Sequence, residues 1–245
     1  MDSGYYAAMT GLIARTEALD TAAANLANAQ TVGYRAEREY FRSVMAGTDS
    51  EDSQLGRTVN RYGLLGGDRL SMAQGPLQQT DNPLDFAIEG NGFFAIRTSN
   101  GIRYTRDGSF HRSQTGGLVT AANEPVLSST GQPISIPPGE VAVGASGVIS
   151  VSGGAVATVG VIGFSDNTQL KPEGANRYVA PDGIKASQSS DAALHQGALE
   201  VANQDVVQGT LDLIIMQRQA EMMQKALTVF HTEFNKTATE DLPRV

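Results

Sequence analysis

The chain contains no cysteine and no tryptophan. The first absence excludes disulfides, thiolate metal ligands and cysteine nucleophiles, and leaves the compartment open. No stretch approaches the roughly 20 consecutive apolar residues that a membrane span needs, so membrane insertion is not expected. The amino terminus lacks the basic patch followed by an apolar block that marks a cleavable secretory leader. Basic runs are missing as well. With 18 Lys and Arg against 26 Asp and Glu the formal net charge is -8, and phosphate neutralisation needs clustered cations, so nucleic acid is not an expected partner. The histidines 111, 195 and 231 are scattered, with no pair one helical turn apart, and no Gly-x-Ser-x-Gly elbow occurs. No metal, cofactor or catalytic residue is assigned, and the chain is not expected to be an enzyme.

What is present is concentrated at the two ends. Near the amino terminus Tyr5, Leu12, Leu19 and Leu26 recur every seventh residue, with Met9 and Ala23 in the adjacent column, and the stripe closes on Asn25-Leu26-Ala27-Asn28. Near the carboxyl terminus Val207, Leu211, Ile214, Ile215, Met222, Ala226, Val229 and Phe230 make a second stripe. A helix with one apolar face gains little until that face is covered. The two stripes therefore point to pairing with each other, with neighbouring copies, or with both. Asp2 and Ser3 are N-cap candidates, and Gly33 can take the positive φ that stops the first helix. Residues 34–45 read equally as a short helix or an extended arm. The C-terminal helical signal starts near Ala192, with a break around Gly197, and reaches Lys236.

Between the stripes the pattern changes. Residues 46–60 are polar and acidic with no apolar period, as in a linker. From Leu84 the alternation of Leu84, Phe86 and Ile88 with Asp85, Ala87 and Glu89 places one face of a strand in a core. Asn100-Gly101 predicts a hairpin with a type I′ turn, and the Val, Gly and Ser alternation of 141–164 predicts two or three further strands. Gly90-Asn91-Gly92 lacks the following helix of a phosphate loop and reads as a turn. Asp81, Asp85 and Asp107 read as solvated turn residues rather than paired catalytic carboxylates.

Taken in order, several phrases resemble one family. Asn25-Leu26-Ala27-Asn28, Thr31 and Gly33-Tyr34-Arg35 are similar to a first signature, Asn82 through Phe94 to a second, and Tyr104-Thr105-Arg106-Asp107-Gly108-Ser109-Phe110 to a third. Gly197-Ala198-Leu199-Glu200-Val201-Ala202-Asn203 and Gln217-Arg218-Gln219-Ala220-Glu221 resemble a C-terminal pattern. The family is that of the axial proteins of the bacterial flagellum, the basal-body rod and hook group. Ala202, Gln204 and Ala220 depart from its usual Ser, Val and aromatic residue. The short stretch between Tyr40 and Arg69 resembles the proximal rod subtype more than the distal one, which carries a longer insertion there.

The resemblance implies a mixed fold: a discontinuous, coiled-coil-like α-helical domain from both termini plus an all-β central domain. Residues 1–45 and 191–245 would be helical assembly segments, 46–75 a linker and arm, and 76–190 the β-rich domain. It implies a structural subunit of the rod in the flagellar basal body, exported by the flagellar type III apparatus, whose partners are copies of itself and other rod and hook proteins. The assembly interface would include Leu12, Leu19 and Leu26, with Asn25, Asn28, Thr31, Gly33 and Tyr34 after them. Its C-terminal part would include Asn203, Leu211, Ile214, Ile215 and Gln217, followed by Arg218, Glu221, Met222 and Val229. Arg218 and Glu221 stand three apart on one helical face, and read either as an exposed ion pair or as contacts between subunits. A distal rod or hook-like subunit is the alternative within the class. A secreted β-rich carbohydrate-active enzyme or lectin is the alternative outside it.

Overall fold

The computed structural model describes residues 2–42, 64–165, 169–181, 183–184, 186–189 and 191–236. The linker expected at 46–60 lies outside the described residues, as do the side chains of Tyr5 and Phe230. The chain divides into two compact units, one drawing on 1–27, 37–69 and 206–245, the other on 28–36 and 70–205.

The first unit is built on α1 (Asp2–Ala27) and α2 (Val206–Lys236), which pack against each other. Both termini thus contribute one helix each. The residues that α1 buries are small: Gly11, Ala14 and Ala18, then Asn25. On α2, Gly209 and Ala220 are buried and Leu213, Met216, Met223 and Leu227 are half-buried, at alternating spacings of four and three residues along one face. Small side chains in the seam let two helix backbones approach closely. Gly11, whose helix propensity is about 1 kcal/mol below that of Ala, belongs to this contact face. Beside the helices, β1 (Glu37–Arg42) pairs with β2 (Leu64–Leu70). Of the two readings open for 34–45, the extended one forms.

The second unit is all β. In chain order its strands are β3 (Leu77–Gln79), β4 (Phe86–Glu89), β5 (Phe93–Thr98), β6 (Gly101–Thr105), β7 (His111–Arg112), β8 (Leu118–Val119) and β9 (Val141–Val143). They continue with β10 (Val148–Val151), β11 (Gly154–Thr158), β12 (Val161–Phe164), β13 (Lys171–Gly174), β14 (Arg177–Val179), β15 (Ala186–Gln188), β16 (Ala193–Gln196) and β17 (Ala198–Glu200). The largest sheet runs β13-β14-β6-β5-β12-β15, a second runs β11-β10-β9, and the remaining strands pair two by two. Because successive side chains of a strand point to opposite faces, β5 feeds two cores. Phe94 and Ile96 join Phe86, Phe110, Ile136 and Ile149 in the main cluster, while Phe93 joins Leu70, Leu170 and Tyr178 in a smaller one. Phe110 meets Phe94 edge-on, with ring centroids 5.1 Å apart, the arrangement favoured by the ring quadrupoles.

Three local readings of the sequence are corrected. The C-terminal helix begins at Val206, not near Ala192. Ala193–Gln196 pairs with β4 and Ala198–Glu200 with β3, while Leu194 is buried in the main core. Ladder bonds and burial thus override the helix propensity of an Ala-bearing stretch. The β5-β6 hairpin forms, but Thr98 pairs with Gly101, so Ser99 and Asn100 are the central residues and only Gly101 has positive φ. The Thr98 hydroxyl accepts from the Asn100 N–H at 3.2 Å and donates to the Gly101 carbonyl at 2.9 Å, which favours this turn over the type I′ form. Strand β4 has both faces covered, since Ala87 is as buried as Phe86 and Ile88.

Candidate assembly interface

The residues expected at an assembly interface fall into two groups. The first is exposed. On α2, Val207, Leu211, Ile214, Ile215, Met222 and Val229 keep between 43% and 70% of their surface open, and on α1 Met9 keeps 42% and Ile13 53%. The helix pair therefore turns its small residues inward and several of its largest apolar side chains outward. Leu12, Leu19 and Leu26 are half-buried. Gln217, Arg218 and Glu221 are also exposed, but Glu221 accepts a 3.3 Å bond from Gln217, one helical turn away, and forms no ion pair with Arg218. Among the described residues no helix is long and apolar enough to cross a membrane, and no cluster of potential metal ligands occurs.

The second group is engaged within the chain itself. Asn25, 8% exposed, clamps the backbone of Glu37: its Oδ1 accepts from the Glu37 N–H at 2.9 Å and its Nδ2 donates to the Glu37 carbonyl at 2.8 Å. Asn28 and Thr31 form a local turn, with the Thr31 N–H on the Asn28 carbonyl at 2.9 Å. Gly33 has φ of 67° and lies so close to the backbone of Arg106 and Asp107 that an added Cβ would stand 2.4 Å from it. Its N–H donates to the Glu200 carbonyl at 2.7 Å. Asn203 accepts from the Ala36 N–H at 2.7 Å and donates to the carbonyls of Ser71 at 2.9 Å and Ala73 at 2.8 Å. The Tyr34 carbonyl accepts from the Asn203 N–H.

Beneath these contacts lies a charged cluster that no motif in the sequence singles out. Arg35, Arg106 and Glu200 are each 2% to 3% exposed. The Glu200 carboxylate takes Arg35 on one oxygen and Arg106 on the other, both at 2.9 Å, and the first oxygen also accepts the Gly75 N–H at 3.0 Å. Arg35 donates further to the carbonyls of Met72 and Ala73. Arg106 donates to those of Ile88 at 3.1 Å and Gly90 at 2.6 Å, and its guanidinium lies 5.3 Å from the centre of the Phe93 ring. Burial, outweighing the attraction of Glu200, pulls the Arg106 guanidinium down to about 10 and shifts Arg35 in the same direction. An arginine nonetheless keeps its charge at neutral pH. No spacing rule joins positions 35, 106 and 200. Each lies in a separate family-like phrase containing glycine, but the phrase of Arg106 also holds Asp107, so charge alone does not mark the three out.

The other carboxylates behave structurally. Asp85 is buried, contrary to the solvated reading, because it accepts from the Thr80 hydroxyl at 2.7 Å and the Asn82 amide at 2.9 Å. Asp107 accepts from the Ser109 N–H at 2.9 Å. Gly90-Asn91-Gly92 joins β4 to β5, as a turn should. His195 meets Glu89 at 2.6 Å on the exposed side of the β16-β4 pair.

Two terminal helices with an open apolar face, and a separate all-β unit, are the elements expected of an axial structural subunit. Residues 6–35 match the family described as flagella basal body rod protein, and residues 87–151 match the flagellar hook protein FlgE/F/G D1 domain. The flagellar basal-body rod protein FlgF of Caulobacter vibrioides is 32% identical over 247 aligned residues, covering the whole of both chains. FlgF of Rhizobium meliloti is 35% identical over 89% of each chain, and the rod protein FlgG of Bacillus subtilis is 28% identical over 91% of this chain and 93% of its own. The chain belongs to the family of flagellar basal-body rod proteins. Within it, the FlgF-like assignment is the better supported.

Proposed function

We propose that the chain is a structural subunit of the flagellar basal-body rod, FlgF-like, that assembles through its terminal helices into the axial shaft and passes torque along it. The observation that carries this reading is the outward face of α2, where Leu211, Ile214, Ile215, Met222 and Val229 stay open while the opposite face is covered by α1. Contiguous exposed apolar surface on a helix is the mark of a docking face. In this reading α1 and α2 supply the assembly segments, the inner layer is coiled-coil-like, and the β unit, which includes β16 and β17, forms an outer layer. Its partners are further copies and other rod and hook proteins, delivered by the flagellar type III export apparatus. Of the interface residues expected from the sequence, Leu211, Ile214, Ile215, Gln217, Arg218, Glu221, Met222 and Val229 remain available to neighbours. The polar contacts of Asn25, Gly33 and Asn203 serve the subunit's own architecture. The test is localisation of the tagged chain in purified basal bodies, with crosslinking from cysteines placed at Leu211 and Met222. Crosslinks to itself or to adjacent rod subunits support the proposal, and a tagged chain absent from basal bodies sinks it.

A further inference from the structure

The chain passes between its two units at four points, 27/28, 36/37, 69/70 and 205/206. On the β side these crossings are rooted in only three segments, 28–36, 70–75 and 200–205. All three meet at one carboxylate. Segment 28–36 brings Arg35 to Glu200 and the Gly33 N–H to the Glu200 carbonyl. Segment 70–75 brings the Gly75 N–H to the same carboxylate and the carbonyls of Met72 and Ala73 to Arg35. Segment 200–205 carries Glu200 itself and Asn203, whose amide holds Ala36, Ser71 and Ala73. Arg106 then ties the carboxylate to the β body through the carbonyls of Ile88 and Gly90.

We propose that Arg35, Glu200 and Arg106 are positioning residues forming a force-bearing fastener, which anchors in the β unit every strand of chain leading to and from the helical unit. Two physical arguments favour this over simple core stability. A buried ion cluster is a poor source of stability, because desolvation offsets much of its attraction. This one is worse than balanced, with two guanidinium groups on one carboxylate and the Nε of both arginines unpartnered. What it supplies is direction. Each rigid planar guanidinium spreads its N–H groups over the carboxylate and two backbone carbonyls, which resists sliding, whereas apolar contacts are non-directional. Three segments held on one group, carrying all four crossings, must yield together or not at all.

The assay is hydrogen exchange on the full-length chain carrying Glu200→Gln, which keeps shape and removes the charge. The amides of Gly33, Ala36, Gly75 and Asn203 are expected to exchange faster together, by on the order of tenfold or more, while those of Phe94, Ile96 and Leu118 in the β core stay unchanged. A change confined to Gly75, a uniform change that includes the core, or no change would each overturn the fastener. Should Glu200→Gln not fold, Arg35→Lys keeps the charge, loses the fork and is read at the same amides, where the same patterns support or overturn the proposal. The force-bearing role rests on the rod reading, and swimming under load tests it. Cells with Glu200→Gln should build rods yet lose speed disproportionately in viscous medium, and normal speed there would refute the role. A wild-type chain missing from basal bodies would sink the rod reading, whereas exchange in dilute monomer is read independently of it.

Discussion

Replacing Leu211 separates assembly from folding. Its side chain sits on the open face of α2 with half of its surface exposed, so the isolated chain has little to lose. Substitutions at such positions move stability by roughly 0.5 kcal/mol or less. In the assembled shaft the balance differs. Full burial of a leucine contributes about 1.5–3 kcal/mol, so covering the remaining half contributes about 1 kcal/mol. Leu211→Ala forfeits most of that, about a fivefold loss per added subunit, since roughly 1.4 kcal/mol corresponds to tenfold. Leu211→Asp adds the cost of an unpaired carboxylate in a covered site, several kcal/mol after relaxation, and should weaken addition by about a thousandfold. The assay pairs thermal unfolding of the purified monomer with the amount of tagged chain recovered in basal bodies. Unchanged melting, modest loss for Ala and near-complete loss for Asp are expected. Normal recovery of the Asp variant, or a sharp fall in monomer melting temperature, would show that this face is not where neighbours dock.

Three further substitutions probe the interior. Gly33→Ala forces a side chain into the left-handed region, at about 1–2 kcal/mol, and against the Arg106 and Asp107 backbone at 2.4 Å; a drop on the order of 3 kcal/mol in denaturant unfolding is expected, and an unchanged midpoint would refute the close approach. Asn25→Ala removes two backbone bonds to Glu37 and should lower stability by about 1–2 kcal/mol, with faster exchange at the Glu37 amide as its local signature. Ala175 has φ of 50° in the turn between β13 and β14. Ala175→Gly therefore relieves strain and should raise the melting temperature by about 2–4 °C if it recovers roughly 1 kcal/mol, while a lower melting temperature would show that the turn is not strained.

The broad plan is legible in the sequence because it rests on period. Helices at both ends, strands between them and the hairpin near residue 100 follow from spacing and turn chemistry. The helix seam is not legible in this way. A stripe is found by its large apolar residues, and that criterion selects Leu211, Ile214 and Ile215, the side that faces out, and passes over Gly11, Ala14 and Ala18, the side that packs. Residues 193–200 mislead because Ala favours helix locally, whereas their fate is set by partners about a hundred residues away in β3 and β4. The Arg35, Glu200 and Arg106 cluster is invisible for the same reason: its members share no periodicity, only a place in the folded chain. Asn25, expected at the assembly interface, has the chain's own backbone at Glu37 as its partner.

The arrangement of the helix pair follows from what a polymer subunit must withhold. Had Leu211, Ile214, Ile215 and Met222 faced α1, a lone copy would have buried them, and joining a neighbour would have gained nothing more from those side chains. On the α1 side the seam is made of Gly11, Ala14 and Ala18, which remove little apolar surface from water, and on the α2 side Leu213, Met216, Met223 and Leu227 are only half-buried. The large apolar side chains left open on α2 include Leu211, Ile214, Ile215, Met222 and Val229. Stability of the single copy is correspondingly lodged in the β core around Phe86, Phe94 and Phe110, which needs no neighbour. Roots fixed on a single carboxylate at Glu200 are the complement of this division.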